Sequence, residues 1–568
     1  MSEGRLIGCF GFSAALLLVA AGCGGEKTEA PMQTADLILF KGKIHTLDPA
    51  TPDGTAVAVL GDRILKVGSE KEVLALAGPA TKNLDLKGRA VIPGLIDSHL
   101  HLSSIGRALE EPDLSGLTSS EAVVKKVSDA AALAAPGAWI VGNGWDQNLW
   151  KIPEFPSAAI LDAVSAGHPV ALRRIDGHAL WVNQAAMDAA GIGRGTSDPR
   201  GGKLVRDRST GKPTGILLDD AMDLVDSKIP GPTPELRQHW IEKAGERLLA
   251  MGITSVQDAG VEPDGIDLYK MMVEARRLPV RVYAMLGGSN RKLADYFAMP
   301  PLIGYGDRRF TFRALKLGVD GALGSRGAAL LAPYSDDPKN WGLVTMPQER
   351  VEEITREALG KGFQVCVHAI GDRANRMVLD AFQSALAAVP SPDPRLRIEH
   401  AQIVSPGDIP RFGKLGIIAS MEPVHATSDM PWVPARLGEE RLAGAYAWRS
   451  LLASSARIAF GSDAPNDSLS PFDGLFAAVT RQDHRLHPEG GWLPEQRLSR
   501  EEALRAYTLD AAFAAFEEDQ KGTLTPGKLA DMVVLDQDYF EVPEAEIWKL
   551  TVETTILGGK VVYAVGTD

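Results

Sequence analysis

Short apolar runs rich in β-branched residues recur along the chain, and several are separated by stretches whose apolar positions return at helical spacing. Eight such runs follow one another at residues 91–97, 253–257, 280–286, 310–317, 363–367, 396–399, 416–420 and 457–461. Helices are predicted at 234–251, 350–359 and 373–387. The first is the clearest, with Thr233 to cap it, Pro234 suited to its first turn and Gly252 to stop it. Eight strands with helical crossovers predict an α/β fold, a closed (β/α)8 TIM-type barrel whose chemistry sits at the carboxyl ends of the strands.

Three regions fall outside that alternation. Residues 35–47 and 56–67 at one end, and 531–536 and 552–563 at the other, are short β-type runs broken by Gly and Asp turns. Neither end has strands enough for two good faces, so 35–90 and 521–568 are expected to pair into one small β-sandwich beside the barrel. The barrel then comprises 91–102 and 234–520, and the interval 103–233 after its first strand is too long for a barrel connection. It reads as an insertion with a helix near 119–135, strands near 138–141 and 169–175, and glycine-rich turns around 191–202. Trp145, Asp146, Arg174, Asp176 and His178 cluster there, as in a lid over the barrel mouth, though each alone could be purely structural.

Composition narrows the partners. The 568 residues are 45% hydrophobic and carry a formal charge of -13 over mixed-sign segments, without the basic stripe a phosphate backbone requires, so nucleic acid is not expected. Residues 10–21 form an apolar stretch too short to span a bilayer comfortably and read as an export signal. Val19-Ala-Ala-Gly-Cys23 resembles the lipobox of bacterial lipoproteins. That resemblance implies a signal peptide at 1–22, lipid on Cys23, a tether over 23–34, and an exported protein anchored on the periplasmic or cell-surface side. Cys9 would then be removed and only Cys366 remain in the folded body, so no intramolecular disulfide is expected. Homo-oligomerisation stays open.

Candidate chemistry collects at strand ends. In an extended strand His99 and His101 share a face and can grip one metal ion together. Lys316, His368, His400 and Asp463 end or follow the fourth, fifth, sixth and eighth runs. Singly each has an ordinary explanation, as a satisfied polar residue, a solvated lysine or a turn initiator. Together, in a barrel, they converge on one mouth as donors suited to a divalent transition metal such as zinc. Lys316 would repel such an ion as an ammonium, but carboxylated by carbon dioxide it becomes an anionic oxygen ligand able to bridge two.

Pro-Gly-Leu-Ile-Asp-Ser-His99-Leu-His101, Lys316 with Asp320-Gly321, Val-His368-Ala-Ile-Gly-Asp-Arg, Ile-Glu-His400-Ala and Gly-Ser-Asp463-Ala-Pro resemble the amidohydrolase superfamily. Within it the chain is similar to the family 3 branch that includes N-substituted formamide deformylases. The likeness implies two divalent ions: His99, His101 and Asp463 on the first, His368 and His400 on the second, and carboxylated Lys316 between them. It further implies hydrolysis of a small molecule's non-peptide C–N bond (amide, N-formyl or N-acyl) by a metal-bound hydroxide, with Asp463 as base and then acid. Trp145, Asp146, His178, Asp320, Arg326 and His425 are candidate substrate contacts, His178 or Arg326 also for the oxyanion. Glu422 departs from the branch, which often has Gln before that Pro, so substrate preference does not transfer. Ester, lactone or phosphotriester hydrolysis uses the same attack. A deaminase typically carries His-x-x-Glu after strand five, where this chain has Gly371, and a non-catalytic binding lipoprotein should have lost ligands.

Overall fold

The computed structural model describes residues 33–566, apart from 175–178, 200–201, 289–292 and 294–296. Cys23, the expected signal peptide and His178 lie outside the described residues. Eight strands form the barrel: β1 Leu95–Leu100, β2 Ile253–Val261, β3 Arg281–Gly287, β4 Phe310–Gly318, β5 Gln364–Ala369, β6 Arg397–His400, β7 Ile418–Met421 and β8 Arg457–Phe460. Each pairs in parallel with the next from β1 to β8. Just past β8 two backbone hydrogen bonds close the ring, Asp463 N to His99 O at 2.7 Å and His101 N to Ala464 O at 3.0 Å.

These strands read as continuous apolar runs because helices cover one face and the barrel interior the other. The helix Pro234–Ala250 shows how the cover is built. Thr233 accepts from Leu236 N, proline occupies the first turn, and Ile241, Ala244 and Leu248 bury the face turned to the strands. Gln348–Lys361 and Asp372–Ala388 fulfil the other two helical expectations with slightly longer spans.

One expected strand divides. The run 91–97 is two elements: Ala90–Pro93 pairs antiparallel with Met532–Leu535 and parallel with Lys43–Ile44, and β1 starts only at Leu95. Gly94 makes the change of partner, its N–H donating to Asp531 O while that of Leu95 donates to Gly252 O. A Cβ at Gly94 would lie 2.4 Å from Thr254 Oγ1, so only glycine passes between the two bodies. The boundary placed at 90/91 therefore falls at Gly94.

The terminal unit is two packed sheets. One holds Ala35–Phe40, Ala56–Leu60, Arg63–Gly68 and Ala77–Asp85, and the other joins Lys43–Ile44 and Ala90–Pro93 to Met532–Leu535, Val552–Leu557 and Lys560–Ala564. Leu37, Leu39, Val57 and Val59 meet Val91, Met532, Val534 and Ile556 in a shared core. A buried bidentate pair, Arg281 with Asp531 at 2.8 and 3.0 Å, ties this unit to the start of β3.

The long interval after β1 carries a five-stranded sheet of its own, in the order Gly202–Arg206, Pro213–Asp219, Ala179–Val182, Val170–Arg174 and Ile140–Trp145. The helix Ser120–Leu133, capped by Ser119, packs on one face, and a second cluster around Leu180, Val182 and Met187 fills the other. Between this sheet and the exits of β1 and β8 lies a cavity of about 620 Å³, lined by Arg107, Asn143, Arg173 and Arg174 on one side and Pro465 and Asn466 on the other.

Candidate metal centre

The mouth gathers its donors from five strand ends. His99 is fully buried, and its Nδ1 donates to Glu399 Oε2 at 2.6 Å, which leaves Nε2 for the centre. His101 is fixed in the same way by Nδ1 to Ala259 O at 2.8 Å. Its Nε2 stands 3.1 Å from Asp463 Oδ1, an atom also 3.7 Å from His99 Nε2. These three ligand atoms lie within 4.8 Å of one another. The other Asp463 oxygen accepts from Asn466 Nδ2 at 3.1 Å.

That convergence needs a close approach of β8 to β1. A Cβ on Gly461 would sit 2.5 Å from His99 N and 2.9 Å from Asp97 Oδ1, so the glycine of Gly-Ser-Asp463 is a packing requirement of the site. Three residues here adopt left-handed backbone, His400 at φ 71°, Ala401 at φ 41° and Asp463 at φ 56°. Strain of this kind is held where the surrounding structure over-determines it, and here it sits on two of the donors.

The remaining donors complete the ring. Lys316 Nζ, from β4, is 3.1 Å from His99 Nε2. His368 ends β5 with its Nε2 buried, 3.4 Å from Asp320 Oδ1 and without a hydrogen bond. His400 ends β6, and its ring centroid lies 4.9 Å from that of His99 and 4.7 Å from that of His368. Its Nδ1 donates to Glu422 Oε2 at 2.8 Å, so each side of the centre has an imidazole held by a buried carboxylate. His400, Glu422 and His425 also bring ligand atoms within 4.8 Å of one another.

Burial sets the protonation states. It pushes His99 well below the ordinary imidazole range, His400 down to about 4 and His368 down as well, the forms that coordinate metal. Burial also lowers Lys316, which favours the free amine that carboxylation needs. Burial raises the Asp463 carboxyl, but the His101 hydrogen bond and the neighbouring imidazoles outweigh it and hold the group well below the usual carboxylate range. Burial pushes Glu422 up to about 8. Imidazoles that burial keeps neutral at His99, His368 and His400, an ionised carboxylate and a buried imidazole nitrogen without a hydrogen bond are a donor set that fits divalent metal ions.

Several expected substrate contacts lie elsewhere. Trp145 is fully buried in the inserted domain, donating from Nε1 to Leu172 O at 2.7 Å and packing on Trp150 and Trp181, so it builds that core. Asp146 caps the turn Gln147–Leu149 and pairs with Arg174 at 3.0 Å. Asp320 is buried and accepts from the N–H groups of Ala329, Ile370 and Gly371, knotting the loops after β4 and β5. Arg326 pairs with Asp336, which Arg436 also holds. Of the candidates within the described residues, two stand beside the proposed ligands: Asp320, with Oδ1 3.4 Å from His368 Nε2, and His425, stacked on His400 with ring centroids 6.1 Å apart.

Two carboxylates and one arginine were not anticipated as parts of the centre. Arg397, fully buried, donates from Nε to Glu399 Oε1 at 2.8 Å and from Nη2 to Oε2 at 3.0 Å, and also reaches Ser98 O and Ser420 Oγ. Glu399 in turn holds His99. The motif Ile-Glu-His400 contained Glu399 in plain view, but only the barrel brings it to a histidine 300 residues away.

The profile of the amidohydrolase family, family 3, matches residues 82–563. The chain belongs to this family. Amidohydrolase membership makes it a metal-dependent hydrolase of small molecules. It is 36% identical over 548 residues to the protein LONG AFTER FAR-RED 3 of Arabidopsis thaliana, a match covering 93% of this chain and 92% of that one. It is 30% identical over 551 residues to the N-substituted formamide deformylase of Arthrobacter pascens, covering 94% and 99%. Among solved structures, an uncharacterised metal-dependent hydrolase from Pyrococcus furiosus superposes with a TM-score of 0.75 at 31% identity, over 89% of this chain and all of that one.

Proposed function

We propose that this amidohydrolase cleaves the C–N bond of a non-peptide amide, an N-formyl or N-acyl amine, at a two-ion centre in which carboxylated Lys316 is the shared ligand. The observation that carries the reading is the position of Lys316 Nζ, 3.1 Å from His99 Nε2 and carried on β4, the neighbour of the strand β5 that bears His368. The C–N bond is favoured by the likeness to the Arthrobacter formamide deformylase. Zinc is the metal the nitrogen and oxygen donors suit.

Bound divalent ions would polarise the scissile carbonyl and acidify a water at neutral pH. The chain supplies the rest. Asp463 has one oxygen among the imidazoles and the other fixed by Asn466, so it can take the water's proton and deliver it to the leaving nitrogen with little reorientation. Glu399 and Glu422 hold the tautomers of His99 and His400. The cavity beside Asn466 gives the substrate room between barrel and inserted domain.

The test is turnover of a panel of N-formyl, N-acyl, cyclic amide and ester compounds by the metal-loaded protein, with Asp463→Asn as control. An amide or formamide should be cleaved, and the variant should lose roughly 10²–10⁴-fold in kcat. Equal rates in variant and wild type would rule out the proton role of Asp463. A Lys316→Ala variant that kept two ions per chain would rule out the bridge.

A further inference from the structure

β1 and β8 are the end strands of the barrel sheet, and among the described residues no strand pairing joins them. The ring closes only past β8, through the backbone bonds of Asp463 N to His99 O and His101 N to Ala464 O. The His99–His101–Asp463 set straddles this seam, with both histidines on the β1 side and the aspartate on the other. How closely those donors can meet on one ion therefore depends on what holds the seam.

Asp97 bridges it. The residue is 1% exposed, and its Oδ1 accepts from His99 N on its own strand and from Ser462 N beyond β8, each at 3.1 Å. In a ladder such N–H groups would meet carbonyls of the neighbouring strand, and leaving either unbonded in this buried place would be costly. One carboxylate oxygen stands in for those carbonyls, and it grips a ligand residue on one side and the residue before a ligand on the other. Gly461 leaves it room, since a Cβ there would lie 2.9 Å from Asp97 Oδ1. Tyr507 crosses the seam a second time, its O accepting from Ile96 N at 2.7 Å and its hydroxyl donating to Gly461 O at 3.4 Å, but neither bond reaches a ligand or the neighbour of one.

We propose that Asp97 is a positioning residue that fixes the separation of β1 from the turn after β8, and with it the spacing of His99 and His101 from Asp463. It acts through the backbone of His99 and Ser462. The assignment rests on the reading of His99, His101 and Asp463 as metal ligands and adds what keeps them in register. The geometry uses Asp97 as an oxygen acceptor for two N–H groups, so an uncharged side chain with its oxygen in the same place should serve.

The experiment titrates the metal-free full chain with cobalt(II), whose visible spectrum depends on the geometry of its ligands, and thermal unfolding checks that each variant is folded. Asp97→Ala should weaken cobalt affinity roughly 10- to 100-fold and alter the spectrum of the bound ion. Asp97→Asn keeps an oxygen for both N–H groups and should retain the affinity and spectrum of the wild type. If the alanine variant does not fold, Asp97→Ser takes its place: its oxygen is one bond shorter and can serve only its own strand, so a loss of about tenfold or more is expected. Wild-type affinity and spectrum in the alanine or serine variant overturn the proposal, as does an asparagine variant that loses as much as they do. A wild type that takes up no cobalt would refute the metal reading itself, and the role of Asp97 with it, whereas uptake by the wild type and equally by the alanine variant refutes the role alone.

Discussion

Replacing Glu399 by glutamine tests whether the metal centre depends on a buried charge pair that touches no substrate. Glu399, Arg397 and His99 all have fully buried side chains, and the carboxylate takes one bond from His99 and two from the guanidinium. Glutamine has the same shape but keeps a single acceptor oxygen and no charge. Removing one partner of a buried pair costs about 3–5 kcal/mol. Arg397 retains Ser98 O, Ser420 Oγ and Gln257 as partners, so the lower end applies and about 3 kcal/mol of stability should be lost. The effect on metal is separate. Weakening the bond that orients His99 should cost roughly 10- to 100-fold in metal affinity. Urea unfolding reads the first quantity, and metal retained during dialysis against a graded chelator reads the second. The double variant Arg397→Met with Glu399→Leu separates them, because an apolar pair removes the stranded charge and should recover much of the stability while leaving metal affinity low. A Glu399→Gln protein that held metal as tightly as wild type would refute the reasoning, whatever its unfolding midpoint.

Gly461→Ala should destabilise the fold by about 1–3 kcal/mol and lower metal content, because the new Cβ meets His99 N at 2.5 Å; differential scanning and metal analysis read both. Glu502 is held down to about 2 by its hydrogen bonds to Arg449, with Ser499 adding the capping box of the helix Arg500–Ala506. Its folded pKa lies below the unfolded value, so its contribution is complete above about pH 4.5 and fades as pH falls toward 2. With a third of the side chain exposed, Glu502→Gln should cost only about 1 kcal/mol at pH 7, and the gap to wild type should narrow at pH 3.5. For the export reading, a Cys23→Ser variant expressed in a bacterium should leave the membrane fraction for the soluble one; equal partition of the two proteins would overturn lipidation.

The parts legible in the sequence share one physical property: each is local. Parallel strands buried on both faces write themselves as apolar runs, and histidine, lysine and aspartate at their ends stand out against that background. The errors arose where locality fails. Residues 91–97 read as one strand although Pro93-Gly94 punctuates them as the point where the β unit gives way to the barrel, and only the pairing shows that two separate strands meet there. Trp145 and Arg326 have the chemistry of substrate contacts, but a tryptophan core and an exposed ion pair claim them first. Glu399 and Arg397, and the bond of Glu422 to His400, were hidden for the same reason, since a carboxylate inside or beside a strand acquires its role only from the histidine the barrel sets against it.

Those hidden residues bear on how the site divides its work. His99 and His400 are each held by a buried carboxylate, but Glu399 is matched by Arg397 and has both oxygens bonded, whereas Glu422 has only His425 at 3.7 Å beside His400 and one oxygen without a hydrogen bond. A matched pair fixes its histidine through the fold alone and needs nothing from outside. The orientation of His99 is therefore fixed by a fully bonded pair, whereas that of His400 rests on one bond to a carboxylate that burial pushes up to about 8. The departure from glutamine at position 422 lies on the second side, where it can act on the choice of substrate without disturbing the Glu399–Arg397 pair behind His99.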